Sequence, residues 1–161
     1  MNKGKEYFGS GTPIVNFTDV FKKRGLLTRD LLGRVSLSHE EIKNYGVQKG
    51  DLFFTRTSET INEIGYPSVM LDRPRDTVFS GFVLRGRANR DDPLDDEFKK
   101  YVFFTDKFRK EMIQKSSITT RALTSGTAIK AMEFSFPVSE IEQQKIGYCF
   151  SHLDDFITLH Q

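Results

Sequence analysis

The stretch that is most informative about the fold of this chain is Lys49-Gly50-Asp51-Leu52-Phe53-Phe54-Thr55-Arg56-Thr57-Ser58-Glu59. A Lys-Gly turn followed by consecutive apolar residues predicts a strand over 51–55. The polar run that follows places hydroxyl, guanidinium and carboxylate groups close together. Arginine can form paired hydrogen bonds with guanine or phosphate, and Ser and Thr can bond to either. The stretch therefore predicts a buried strand that leads into a polar binding segment.

Other strands are predicted around this one, over residues 14–17, 68–71, 77–79, 81–85 and 131–136. In the last of them, Met132, Phe134 and Phe136 alternate with polar neighbours, which is the period of a strand. Residues 1–12 contain three glycines and predict a loop.

Helices are predicted over 95–116 and after Pro137. The first should break near Thr105-Asp106, with Asp106 capping the second part. Ser139 and Glu142 form the capping-box pattern that starts the last helix. Residues Ile146, Cys149, Leu153, Phe156 and His160 of this helix step by three or four, and Phe150 and Ile157 widen this seam. The predicted fold class is α/β (α+β), with a mixed-sheet domain over 1–137 and an amphipathic, coiled-coil-type helix over 138–161.

Composition fits one domain with its own core: 161 residues, 37% of them apolar and 29% charged. No apolar run approaches the length of a membrane helix, and the first residues do not resemble a secretory signal. A cytoplasmic protein without membrane contact is expected. The single cysteine, Cys149, lies on the apolar side of the last helix, where we expect a buried, inert thiol.

The net charge of +2 is weak evidence for a nucleic-acid partner, but the charges are unevenly distributed. Basic residues concentrate in 22–34 and 107–121, whereas 91–97 is acidic. These islands fit either a phosphate-facing side or ordinary solvated surface. Lys22, Lys23 and Arg24 are candidates for contacts with a DNA backbone.

A second polar run, over 116–126, contains six hydroxyl residues, one arginine and a terminal glycine. Such a run can bind phosphates and base edges, or it can be a loop with local Ser/Thr turns. The DNA-binding candidates from both runs are Arg56, Thr57, Ser58, Ser117, Thr119, Thr120 and Arg121. Neither arginine has an evident ion partner nearby in the sequence.

An intrinsic magnesium nuclease is an alternative, with Asp76 and Glu97 as metal ligands and Lys99 orienting water. Glu97 and Lys99 fall within a predicted helix, whereas such sites usually lie along a strand. The chain also lacks a methyltransferase tetrapeptide and a Gly-rich nucleotide turn. We therefore predict no catalytic residue, no metal ligand and no cofactor for this chain.

Four stretches, in this order and at these gaps, carry a resemblance to a known family. They are 49–59, 80–85, 116–121 and Phe136-Pro137 followed by Glu142-Gln143-Gln144-Lys145-Ile146. Together they resemble one half of the DNA-specificity subunit of type I restriction-modification enzymes. The resemblance implies a target recognition domain and a spacer helix that bind double-stranded DNA without catalysis. Methyltransferase subunits would dock on it, restriction subunits would bind outside them, and AdoMet, ATP and magnesium would belong to those partners.

The chain corresponds to one half of such a subunit, with one recognition domain and part of a spacer. It is therefore expected to be a natural half-subunit, a silent cassette or a fragment. Its helix would pair with a second copy or with another specificity half through Ile146, Cys149, Phe150, Leu153, Phe156 and Ile157. The alternative is a truncated subunit that acts mainly as a protein-interaction module on the methyltransferase.

Overall fold

A computed structural model describes residues 4–159 of the protein. Residues 1–3 of the predicted domain and residues 160–161 of the predicted last helix, including His160 of its seam, lie outside the described residues. The strands are β1 (Phe8–Val15), β2 (Gly25–Leu26), β3 (Arg34–Val35), β4 (Leu52–Thr55), β5 (Thr57–Ser58), β6 (Pro67–Met70), β7 (Val78–Phe79), β8 (Val83–Gly86), β9 (Ser117–Ile118) and β10 (Ala122–Leu123). The helices are α1 (Phe17–Lys22), α2 (His39–Tyr45), α3 (Asp96–Val102), α4 (Asp106–Lys115), α5 (Gly126–Lys130) and α6 (Glu140–Leu159).

The strands form three small sheets, which confirms a mixed α/β fold with a C-terminal helix. One sheet has the order β3-β1-β7, a second β2-β6-β4-β8 and a third β5-β10-β9. In the first two sheets both parallel and antiparallel pairs occur, since β1 runs parallel to β7 and β2 parallel to β6. The third sheet is antiparallel throughout.

Strand β4 lies between two hydrophobic clusters, which explains its apolar run Leu52-Phe53-Phe54. Successive side chains of a strand point to opposite faces. Phe53 packs with the cluster around Val20 and Met70, whereas Phe54 packs with the cluster around Phe103 and Met112. Both phenylalanines are buried. The sheet is therefore covered on both faces, and the strand predicted at 51–55 is confirmed at 52–55 as one of its two inner strands.

The turn before β4 uses glycine and a buried carboxylate. Gly50 has a positive φ of 81°, a conformation that favours glycine. Asp51 is buried and accepts from the Gln48 N–H at 2.8 Å and from two guanidinium nitrogens of Arg87 at 2.6 Å. The bond to Asp51 raises the pKa of Arg87 above its ordinary value. This ion pair ties the start of β4 to the end of β8.

The loop predicted for residues 1–12 is wrong over 8–12, because β1 begins at Phe8. Gly9 and Gly11 have φ values of 107° and 95° and lie where the register of β1 with β3 shifts between Phe8 and Thr12. Glycine with positive φ is typical of such bulges. The strand predicted at 14–17 also ends earlier, since Asn16 caps α1 and Phe17 begins it.

The strand predicted at 131–136 is also wrong. After α5 this segment is irregular. Met132 is nevertheless buried, and Phe134 packs edge-on against Phe103 with 4.9 Å between ring centroids. The alternation therefore reflects real burial against Phe103, between α3 and α4, and Phe108 of α4, without strand pairing.

The helix predictions are largely confirmed. α3 and α4 are separated at Phe103–Thr105, although the residue before α4 is Thr105 and Asp106 lies inside the helix. At the start of α6, the Ser139 hydroxyl accepts from the Glu142 N–H at 3.4 Å. Within residues 4–159, no helix is both long and apolar enough to cross a membrane.

Candidate functional site

The small sheet, formed by β5, β10 and β9, brings together the two polar runs that the sequence singles out. Ala122 pairs with Ser58 on one side and with Ile118 on the other. Leu123 likewise lies between Thr57 and Ser117. Runs that are about 60 residues apart in the sequence therefore form one continuous surface.

The two faces of the small sheet differ in exposure. Its outer face carries Thr57, Glu59, Ser117, Thr119, Arg121 and Leu123, which are exposed except for the half-buried Thr57. Its inner face carries Ser58, Ala122 and Thr124, which are buried, and Ile118 of the edge strand β9, which is exposed. This alternation follows from the two-residue period of a strand. The outer face therefore presents hydroxyls, one guanidinium and one carboxylate to solvent.

Two of the predicted site residues are placed differently from the rest. Ser58 is 5% exposed, and its hydroxyl accepts from the Thr60 N–H at 3.3 Å. It therefore holds the turn after β5. Thr120 is exposed in the turn between β9 and β10, beside the outer face.

Arg121 has an ion partner, which corrects the expectation from the sequence. Its Nη2 atom lies 3.0 Å from Oε1 of Glu59, and both side chains are mostly exposed. The antiparallel register brings the two residues opposite each other across β5 and β10. Glu59 is 62 residues away in the sequence, so proximity along the chain could not identify it.

A hollow of about 210 Å³ opens beside this ion pair. Its walls are Phe17, Thr57, Ser58, Glu59, Phe82 and Arg121. Arg56 occupies the bend between β4 and β5, where its N–H donates to the Phe82 carbonyl at 3.2 Å. The Phe82 side chain is 65% exposed. The sequence analysis did not predict Phe17, Glu59 and Phe82 as site residues. The signal available for Phe82 was its place directly after Ser80-Gly81, a turn sequence.

The basic cluster Lys22, Lys23 and Arg24 lies at the other end of α1 from Phe17. All three side chains are exposed, and Lys23 pairs with Asp30 at 3.2 Å. Arg24 pairs with Asp154 of α6 at 2.7 Å, and its guanidinium lies 5.0 Å from the ring centre of Phe104. Arg24 therefore connects the domain to α6, which competes with its predicted role in binding a phosphate.

Two of the three nuclease candidates, Lys99 and Glu97, have partners within the protein. The Lys99 ammonium is buried and lies within 2.6 Å of Asp92 and 2.9 Å of Asp96. Glu97 accepts from Lys100 at 2.8 Å and from the Ser151 hydroxyl at 3.0 Å. Asp76 is exposed in the loop before β7. Within residues 4–159, no group of three or more His, Cys, Asp or Glu side chains is arranged to hold a metal ion.

Helix α6 packs against α3 through a docking face that is small and polar, formed by Gln143, Gly147, Ser151 and Asp154. The Gln143 amide is buried, accepts from the Asp95 N–H at 2.8 Å and donates to the carbonyls of Pro93 at 2.9 Å and Pro137 at 2.8 Å. At Gly147, an added Cβ would lie 2.7 Å from the Glu97 carbonyl carbon. Close approach of the two helices therefore requires glycine at this position.

The rest of the docking face forms a hydrogen-bonded cluster. The Ser151 hydroxyl accepts from Lys100 at 2.7 Å and lies 3.1 Å from the Tyr101 hydroxyl. Tyr101 also donates to Asp154 at 3.0 Å. Burial is the main cause that raises the pKa of Tyr101 above its ordinary value. These bonds fix the angle at which α6 leaves the domain.

The apolar seam of α6 is formed by Ile146, Cys149, Phe150, Leu153, Phe156 and Ile157, and most of it is exposed. Ile146 packs against the core, and Phe150 lies 5.3 Å from the Tyr101 ring. Leu153, Phe156 and Ile157 are 50%, 61% and 58% exposed. The expected burial of Cys149 is wrong, because the domain contacts the docking face and leaves this thiol exposed.

No protein-family model matches the chain, and no curated protein matches it either. A functional assignment therefore depends on the chemistry and geometry of the surfaces described above.

Proposed function

We propose that this chain is the DNA-recognition half of a type I restriction-modification specificity subunit. It would bind double-stranded DNA through the outer face of the small sheet and would itself catalyse no reaction. Methyltransferase subunits, and through them restriction subunits, would be directed to a split DNA site. AdoMet, ATP and magnesium would be bound by those partners.

The observation that carries this proposal is the pairing of β5 with β10. It joins the two polar runs of the family resemblance into one exposed surface with donors and acceptors. Sequence-specific readout needs such groups at base edges, and phosphate contacts need cations and small hydroxyl side chains. Lys22 and Lys23 lie about one length of α1 from the hollow, roughly 8 Å at 1.5 Å per residue, and could supply backbone contacts.

The exposed seam supports the second half of the proposal. Most surface helices of globular proteins face their core with the apolar stripe. In α6 the docking face is polar and the apolar seam stays largely in solvent, which is expected when a second helix covers it. The same observation favours the second candidate function, a truncated subunit that acts mainly as a protein-interaction module on the methyltransferase.

Electrophoresis of the chain with a randomised duplex library, with and without a methyltransferase subunit, distinguishes these two functions. Recovery of one sequence family supports DNA recognition. Tight binding to the methyltransferase without any selected sequence, in either condition, would support the protein-interaction module instead.

Arg56 and Arg121 are expected to contact DNA. If Arg121 binds a guanine, Arg121→Ala should weaken binding by about 1–3 kcal/mol and relax the preference at one position. A phosphate contact would instead weaken all sequences alike and lower the slope of log affinity against log salt by about one. Titration of the selected duplex at several salt concentrations separates these outcomes for both variants.

Arg90→Ala is the matched control, because it removes an exposed arginine from a loop next to Asp91 and Asp92. It should leave affinity close to that of the wild type. Unchanged affinity in both Arg56→Ala and Arg121→Ala would remove these residues from the site.

The isolated chain is expected to cleave no DNA and to transfer no methyl group. Incubation with plasmid and magnesium should leave the plasmid intact, and labelled AdoMet should label no DNA. Glu97 and Lys99 already bind side chains of the protein, as described above. Sequence-specific cleavage that is lost in a folded Glu97→Ala variant would contradict this prediction and favour the nuclease.

A further inference from the structure

The Arg121–Glu59 ion pair joins the two polar runs at the surface. It lies on the outer face of the small sheet, beside the hollow, and its two members come from the two different polar runs. Exposed ion pairs contribute little to folding stability. The Thr119 N–H donates to the Arg121 carbonyl at 3.2 Å, so the backbone around the arginine is held by both neighbouring strands. The pair is therefore presented to solvent from a fixed backbone.

Its donor and acceptor groups match one edge of a base pair. Across the major groove, a G·C pair presents two acceptors on guanine and then one donor on cytosine, the N4 amino group. Guanine O6 and cytosine N4 are hydrogen-bonded to each other, so they lie about 3 Å apart. The Arg121 Nη2 and Glu59 Oε1 atoms are also 3.0 Å apart. Two guanidinium donors followed by a carboxylate acceptor are thus complementary to guanine followed by cytosine.

An A·T pair does not fit the same arrangement. Its order in the major groove is acceptor, donor, acceptor, followed by the thymine methyl group. One guanidinium N–H would then face the adenine amino group, and the carboxylate would face the thymine carbonyl. Both contacts place like groups against each other, and unpaired buried polar groups are unfavourable.

We propose that Arg121 and Glu59 act together as a reader of a single G·C base pair, with guanine on the Arg121 side and cytosine on the Glu59 side. This inference rests on the proposed function and adds Glu59 as a specificity-determining residue. The carboxylate also occupies Arg121 in the free protein, so the arginine is less available to the phosphates of other sequences.

The test compares base preferences of the full chain and its variants, position by position, on the duplex selected from the library. Arg121→Ala and Glu59→Ala should both reduce the preference for G·C by about tenfold, at the same position. Glu59→Ala should also bind unselected duplex at least as tightly as the wild type, because it removes a negative charge facing DNA.

Glu63→Ala is the control for loss of one negative charge. Glu63 is only four residues from Glu59 in the sequence, and its carboxylate accepts from the Thr60 hydroxyl at 3.0 Å. It should leave the base preference unchanged. The proposal is overturned if Glu59→Ala behaves like Glu63→Ala, or if the two reader variants act at different positions. Failure of the wild-type chain to select any duplex, alone or with the methyltransferase, would instead reject the proposed function itself.

Discussion

Replacement of Gln143 by methionine is expected to lower the free energy of unfolding by about 3 kcal/mol, because three backbone groups lose their partner at once. The Gln143 side chain is 1% exposed, and methionine fills a similar volume. The Asp95 N–H and the carbonyls of Pro93 and Pro137 would have no replacement donor or acceptor at this position. Each unpaired buried polar group costs about 1–3 kcal/mol, and the sum should lie near the lower end because Pro93 is exposed and Pro137 half-buried, so water can reach their carbonyls.

Gln144→Met is a close control, since it makes the same substitution one residue later in the same helix. The Gln144 amide contacts the exposed Glu140 carboxylate at 3.3 Å and no buried backbone group in the described structure. Its unfolding free energy should stay within about 0.5 kcal/mol of the wild type. Urea denaturation followed by circular dichroism measures both variants, and equal midpoints would contradict the role given to Gln143.

This prediction also concerns function, because Gln143 belongs to the segment that carries the family resemblance. Its hydrogen bonds connect α6 to the residues before α3 and to Pro137, which precedes α6. Loss of its bonds should loosen the first turns of α6. Amide hydrogen exchange in these turns should therefore become faster through local opening, at a free energy below that of global unfolding. A specificity subunit whose two halves are spaced by such a helix would then lose a defined distance between its half-sites.

The parts of the fold that follow from local pattern were predictable from the sequence. The strand at Leu52–Thr55, the break between α3 and α4 and the start of α6 each depend on neighbouring residues. The bulge at Gly9 and Gly11 was not predictable, because glycine marks loops and bulges alike. Segment 131–136 has the alternation of a strand but lies against aromatic side chains, and periodicity does not reveal whether a partner strand is present.

The arrangement of the candidate site was likewise not predictable from local sequence patterns. Both polar runs were identified from composition, but their pairing depends on long-range register between β5 and β10. That register supplies the Glu59 partner of Arg121 and turns Ser58 toward the core. For α6, the apolar stepping predicted a stripe along one side of the helix, and most of that stripe is exposed in the structure. The small residues Gly147 and Ser151 gave too weak a signal to show that the domain would contact the other side of the helix.

Replacement of both Leu153 and Phe156 by glutamate is expected to convert a dimer of this chain into monomers. The two side chains are 50% and 61% exposed in the single chain, so the domain alone does not require them. Burial of such side chains is worth about 1.5–3 kcal/mol each, and a two-fold axis uses each of them twice. Charged groups placed at the centre of such an interface would be desolvated without partners.

The matched control replaces Ile141 and Tyr148 by glutamate. These residues are also large and exposed, at 67% and 55%, and they belong to the same helix. At 100° per residue, Tyr148 lies roughly 140° and Ile141 roughly 120° around the helix from Leu153, which is near the middle of the seam. The control variant should therefore remain dimeric although it gains the same two charges.

Light scattering with the folded state checked by circular dichroism measures these outcomes. The wild type and the control should scatter as twice the 18.5 kDa chain, and the seam variant should scatter as one chain with unchanged helix content. A wild-type chain that stays monomeric at high concentration, both alone and with split palindromic DNA, would reject the homodimer.

The length of α6 predicts the distance between the two DNA half-sites that such a dimer would bind. Its 20 residues span about 30 Å at 1.5 Å per residue, close to one turn of duplex. If two copies join antiparallel along their seams, we expect their small sheets to contact DNA about one turn apart and to select a palindrome with a central gap. The seam variant keeps Arg56, Arg121 and Glu59, so it should still recognise a single half-site while losing the preference for a fixed gap. Selection of the same gapped palindrome by this variant would show that the spacing is set elsewhere.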